Sequence, residues 1–120
     1  MTVALEGLRV LVVEDEAAVA MLIETMLEDL GCVVAASAAS VAEALACIAD
    51  GGFDFALLDL NLAGQRVDPV AAALSDRGLP FAFASGYGPN GAPPGFAAVQ
   101  VLSKPFRRRD VEATLRRALG

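Results

Sequence analysis

Short apolar runs alternate with stretches of helical period along this chain, and the alternation predicts an α/β domain in which five strands form a doubly wound parallel sheet. Two acidic endings support that reading. The run Leu8-Arg9-Val10-Leu11-Val12-Val13 closes on Glu14-Asp15-Glu16, and the run Phe53-Asp54-Phe55-Ala56-Leu57-Leu58 closes on Asp59. As parallel strands of one sheet, these runs deliver their carboxylates to its C-terminal edge, where open α/β sheets place ligands.

The first strand, 8–13, is followed by Val19, Leu22, Ile23, Met26, Leu27 and Leu30 at helical spacing, with Gly31 as the stop. Cys32-Val33-Val34-Ala35 reads as a short second strand. Ser40-Val41-Ala42-Glu43 is a Ser-x-x-Glu capping box that opens a second helix ending at Gly51-Gly52. The third strand carries Asp59 at its end. Asp68-Pro69, an N-cap acid with proline at the first helical position, announces a third helix that stops near Gly78. Residues 80–84 give the fourth strand and 98–102 the fifth. Residues 107–119 give a last helix with Val111, Leu115 and Leu119 on one face. The helix due between the last two strands is short or replaced by a loop, because residues 86–95 hold seven Gly or Pro in ten, a composition that cannot sustain a helix interior.

A length of 120 residues makes one domain, 1–120, able to bury roughly two-thirds of the surface its unfolded chain exposes. With 9 basic and 15 acidic residues the net charge is 9 − 15 = −6. The pI near 4.4 argues against direct nucleic-acid binding. The 56% apolar content comes in runs of four to eight, far from the roughly 20 residues a membrane span needs. Met1-Thr2-Val3-Ala4-Leu5-Glu6 lacks the basic start of a signal peptide, so the expectation is a cytoplasmic protein without membrane insertion. Cys32 and Cys47 read as reduced core residues.

Crowded acids repel, by about 4 kcal/mol for a pair 4 Å apart at an effective dielectric of 20, so the acidic edge favours a divalent cation. All-oxygen donors in a chain without His suit Mg²⁺. Ser85 ends strand four, and Lys104 follows strand five in Leu102-Ser103-Lys104-Pro105-Phe106. Singly, these residues have ordinary readings: a loop acid, a solvated lysine, acids that favour a helix N-terminus. Together, at the ends of successive strands, they can hold a phosphoryl group. Asp59 is the in-line nucleophile, the metal and Lys104 neutralise phosphoryl oxygens, Ser85 donates to another, and the product is an aspartyl phosphate. Asp54, about 16 Å from Asp59 at 3.3 Å per residue, belongs to the opposite edge. Arg107-Arg108-Arg109 reads first as a solvated helix face and second as a docking patch.

The motifs Val12-Val13-Glu14-Asp15-Glu16, Leu57-Leu58-Asp59-Leu60-Asn61, Ser85-Gly86 and Lys104-Pro105-Phe106 resemble those of the receiver domains of two-component response regulators, over nearly the whole chain. The resemblance implies a flavodoxin-like fold with strand order 2-1-3-4-5. It implies that Asp59 accepts phosphate from a phosphohistidine on a sensor histidine kinase or phosphotransfer protein and that the result is read by a downstream protein. It further implies Mg²⁺ held directly by Asp15 and Asp59, through water by Glu14, and by the main-chain carbonyl of Asn61. Ser85 is then the switch hydroxyl and Lys104 the cation on the phosphoryl oxygens, in a regulatory domain that assists its own phosphorylation and dephosphorylation.

Two departures narrow the match. Many receivers carry an aromatic switch residue three positions before the lysine, where this chain has Val101. The run Pro80-Phe81-Ala82-Phe83-Ala84-Ser85-Gly86-Tyr87-Gly88 is similar to the PFxFATGUG receivers, with Ser85 in place of Thr. Members of that subfamily often work with HWE-type histidine kinases, which the resemblance therefore implies as partner. Without a switch aromatic, activation is expected to work by ordering of the 86–95 loop.

Two other functions compete. A haloacid-dehalogenase-like phosphatase also uses a strand-end Asp, but it wants a second acid two residues later, where neutral Asn61 stands. A nucleotide-binding module would use Gly86-Tyr87-Gly88-Pro89-Asn90-Gly91 as a Gly-x-Gly-x-x-Gly turn, yet Pro93-Pro94 forbid the helix that motif must open.

Overall fold

A computed structural model describes residues 4–62, 64–85 and 92–119. Its strands are β1 (Arg9–Val13), β2 (Val33–Ala38), β3 (Phe55–Asp59), β4 (Asn61–Leu62), β5 (Gln65–Arg66), β6 (Phe81–Ser85) and β7 (Val101–Ser103). Its helices are α1 (Ala17–Asp29), α2 (Val41–Asp50), α3 (Asp68–Asp76) and α4 (Arg108–Leu119). Five strands form one parallel sheet in the order β2-β1-β3-β6-β7, the expected 2-1-3-4-5 arrangement once the small β4-β5 hairpin is set aside.

Strand alternation divides the core between the two faces. Leu11, Val13, Ala56, Leu58, Phe81 and Phe83 point to the side covered by α2 and α3. Val10, Val12, Phe55, Leu57, Ala82 and Ala84 point to the side covered by α1 and α4. Both faces are buried, as parallel sheets require, which is why β1, β3 and β6 read as continuous apolar runs.

The helix boundaries follow from local chemistry. Gly31, at φ 89°, takes the left-handed conformation that ends α1 and donates its N–H to Glu28 O at 3.0 Å. The Ser40 cap of α2 forms, with Glu43 N–H donating to Ser40 Oγ at 3.1 Å, and Glu43 Oε1 reaches one residue further back than the Ser-x-x-Glu box implies, accepting Ala39 N–H at 3.2 Å. A cap of this kind is worth about 1 kcal/mol.

Three expectations need correction: the second strand, expected over 32–35, runs Val33–Ala38, its pairing with β1 extending to Val13 and Ala38, and the start of α3 and the last strand also differ. The N-cap of α3 is Val67, and Asp68 lies in the first turn, bonded to Arg66 Nε at 3.1 Å. Val67 is fully buried and its carbonyl receives Val70 N–H at 2.9 Å, so packing sets the helix start ahead of the acid. The last sheet strand covers Val101–Ser103 instead of 98–102, because residues 93–99 fold into successive turns. In these, Phe96 N–H bonds Pro93 O and Val99 N–H bonds Phe96 O, both at 3.0 Å. The β4-β5 hairpin was not anticipated. Residues 92–100 contain no helix, as the Gly/Pro composition implies, while 86–91, the first part of the expected loop, lie outside the described residues.

Cys32 is buried and Cys47 half-buried, both as free thiols, and burial raises the Cys32 pKa. No described helix is long and apolar enough to cross a membrane.

Candidate functional site

The central strands bring the predicted residues to one edge. Glu14 follows β1 and is held there by its N–H, which donates to Ala38 O at 3.0 Å. Asp59 ends β3, paired in register with Ala84 on β6. One carboxylate oxygen from each of Glu14, Asp15 and Asp59 lies within 4.8 Å of the others. Ser85, buried at the end of β6, is in register with Ser103, and its carbonyl accepts Lys104 N–H at 2.8 Å. That bond ties the lysine backbone to the serine strand end. Asn61, the remaining predicted position, starts β4 two residues beyond Asp59, paired in register with Arg66.

Lys104 reaches across the cluster. Its Nζ donates to Glu14 Oε1 at 2.9 Å and lies 3.4 Å from Asp59 Oδ1. Glu14 is almost completely buried, with its side chain 1% exposed, so the ammonium offsets an otherwise costly buried charge. Burial works against the lysine's own charge, but the bonds to Glu14 and Asp59 outweigh it and raise the Lys104 pKa. Asp59 is pushed up to about 7, chiefly by burial and then by Glu14 beside it, with Lys104 pulling the other way. Three carboxylates against one ammonium leave the edge short of positive charge. The donor set is all oxygen, which fits Mg²⁺. Asp54 lies where expected, at the opposite edge, its N–H donating to Arg9 O at 2.7 Å and its Oδ2 accepting Arg9 N–H at 3.0 Å.

The Lys104–Glu14 bond was not anticipated. Ninety residues separate the partners, and no local pattern pairs them; only the adjacency of β1, β3 and β6-β7 strand ends does so.

An apolar groove of about 310 Å³ adjoins Lys104, bounded by Val19 and Leu22 of α1 and by Pro105 and Phe106. Leu22 in this lining is 51% exposed.

Residues 10–88 match the response regulator receiver domain family. SdrG from Sphingomonas melonis Fr1 has a solution structure 40% identical in sequence, covering 95% of this chain and 98% of that one at a TM-score of 0.85. The BeF3-activated conformation of SdrG from Pseudomonas melonis Fr1 is also 40% identical, covers 96% of each chain and gives a TM-score of 0.76. The response regulator PhyR from Brucella abortus is 32% identical over 98% of this chain and 49% of its own, at a TM-score of 0.81. No curated protein matches. The chain belongs to the response regulator receiver domain family, whose members are phosphoacceptor modules of two-component signalling and interact with histidine kinases or phosphotransfer proteins. Neither the phosphatase nor the nucleotide-binding alternative finds support: Asn61 stands where the phosphatase needs an acid, and no helix opens within 92–100.

Proposed function

We propose that Asp59 is the phosphoacceptor of this chain, that residues 1–120 work as one receiver domain in the cytoplasm, and that Mg²⁺ is held by Asp15 and Asp59 with Glu14 and the Asn61 carbonyl assisting. The observation that carries the reading is the position of Asp59 at the end of a central strand, facing Lys104 Nζ at 3.4 Å and the carboxylates of Glu14 and Asp15. In the reaction an Asp59 oxygen attacks phosphorus in line, forming a P–O bond as the P–N bond to the donor histidine breaks. When bound, Mg²⁺ supplies positive charge that favours the ionised carboxylate and offsets phosphoryl oxygens. Lys104 then turns its ammonium from the carboxylate to the new phosphoryl group, while the Ser85 hydroxyl donates to a second oxygen. The domain thereby assists its own phosphorylation and the later hydrolysis.

Beryllofluoride stands in for a phosphoryl group, and a relative 40% identical has a BeF3-activated conformation, which supports the reading. Incubation with acetyl phosphate tests it. Labelling is expected to require Mg²⁺ and to fall at least tenfold in Asp15→Asn; labelling unaffected by chelator or by that substitution would refute the metal assignment.

The PFxFATGUG assignment gains support from packing. Phe81 and Phe83 of that motif stack edge to face at 5.6 Å, and Phe96 packs on them at 6.0 and 6.1 Å. Aromatic mass absent at Val101 is thus present beside it. An HWE-type kinase is the proposed donor, with the apolar groove at Leu22 and Phe106 receiving a helix of that kinase next to the site. Leu22→Glu is expected to slow transfer from the kinase at least tenfold while leaving acetyl phosphate labelling unchanged; equal slowing of both would remove the groove from the donor interface.

A further inference from the structure

We infer that the open edge of β7, with the α4 face beside it, is a docking site for an extended acidic segment of a partner protein, which adds to the sheet as a further strand. β7 pairs only with β6 among the described residues. Phe83 N–H donates to Gln100 O at 2.9 Å and Lys104 N–H to Ser85 O at 2.8 Å, so the even-numbered residues face β6. By the alternation of a parallel ladder, Val101 and Ser103 turn their N–H and C=O groups outward. An edge of this kind is a template for an incoming strand.

Two grooves lie along that edge. One, of about 360 Å³, is bounded by Val101, Ser103, Pro105, Ala113, Thr114 and Arg117. The other, of about 280 Å³, is bounded by Pro80, Ala98, Gln100 and again Arg117. Arg117 therefore stands where the two meet. Alternate side chains of an added strand would enter such grooves while its backbone bonds Val101 and Ser103.

Charge selects the occupant. The chain is formally −6, yet Arg107, Arg108, Arg109, Arg116 and Arg117, at the start of α4 or within it, make five of its 9 basic residues. Arg108 is 3.8 Å from Asp29 and Arg116 is 3.0 Å from Glu112. Arg109 and Arg117 are exposed and form no ion pair with another described residue. Asp110 also lines the larger groove, where its carboxylate already accepts Arg107 N–H at 2.8 Å at the helix start, while Arg117 lines both grooves. An acidic segment gains from this face and a basic one is repelled. A second copy meeting it through a two-fold axis would set the same arginines against each other.

Random peptides displayed on phage and selected on the full chain provide the test. Recovered peptides are expected to alternate Asp or Glu with β-branched residues. A synthetic copy of the strongest should slow amide hydrogen exchange at Val101 and Ser103. Arg117→Glu, on an exposed side chain, should weaken its binding roughly tenfold, about 1.4 kcal/mol, whereas Arg77→Glu, at the C-terminal cap of α3, should not. Val101→Pro removes an outward donor without touching the ladder to β6 and should weaken binding as well. The proposal fails if no peptide is recovered, if peptides carry no acidic bias, or if Arg117→Glu binds as the parent does. It fails equally if Val101 and Ser103 become protected with rising protein concentration alone, which would make the face a self-association surface.

Discussion

Without divalent cation, the protein is expected to unfold at a higher temperature at pH 5 than at pH 8. Asp59 is pushed up to about 7 in the folded chain, by burial first and by Glu14 second, whereas an unfolded aspartate titrates near 3.9. Between those values the folded state binds more protons, so stability is fully present below about pH 4 and is lost as pH rises through about 7. Lys104, whose pKa is raised, contributes stability that is lost only in the alkaline range and so does not reverse the trend between pH 5 and 8. Solvent at the mouth of the cleft screens the effect, leaving about 2 kcal/mol. Adding Mg²⁺ at pH 8 should restore the loss by binding the folded state alone. Asp59→Asn should flatten the profile. Equal or greater stability at pH 8 in chelator would contradict this description of the acidic edge.

The second large effect is that of Lys104→Ala. The ammonium is the cation bonded to Glu14, whose side chain is 1% exposed, and removing it leaves a buried charge uncompensated. A loss of about 2–3 kcal/mol at pH 8 is expected, smaller at pH 5, where Asp59 takes up a proton more readily once the lysine no longer holds it ionised. Mg²⁺ should still bind, because the lysine donates no metal ligand. The change in amide NMR spectra on adding beryllofluoride should shrink, since the ammonium links the site to the strand end through Lys104 N–H and Ser85 O. Full stability at pH 8, or an undiminished spectral response, would show that Lys104 is only a surface cation.

Much of this was readable from residue order because the parallel sheet converts strand ends into neighbours. Asp59, Glu14-Asp15, Ser85 and Lys104 each close an apolar run, and a five-stranded wound sheet has one edge at which such endings meet. Ser40 and Glu43 were equally readable, since a capping box acts within one turn. The hairpin of Asn61–Leu62 and Gln65–Arg66 was not, because strands of two residues carry no measurable period. Val67 outranked Asp68 as the start of α3 through a burial that a linear pattern does not display. Val99 looked like strand and lies in turns, because Phe96 gains more by packing on Phe81 and Phe83 than the segment gains by an earlier start to the ladder. The bond between Lys104 and Glu14 depends on tertiary proximity alone.

Intact-mass measurement after incubation with acetyl phosphate and Mg²⁺ addresses phosphorylation at Asp59 directly. The parent chain and Asp54→Asn should each gain the mass of one phosphoryl group, and Asp59→Asn should gain none; labelling of Asp59→Asn at the parent level would contradict the assignment of Asp59 as phosphoacceptor.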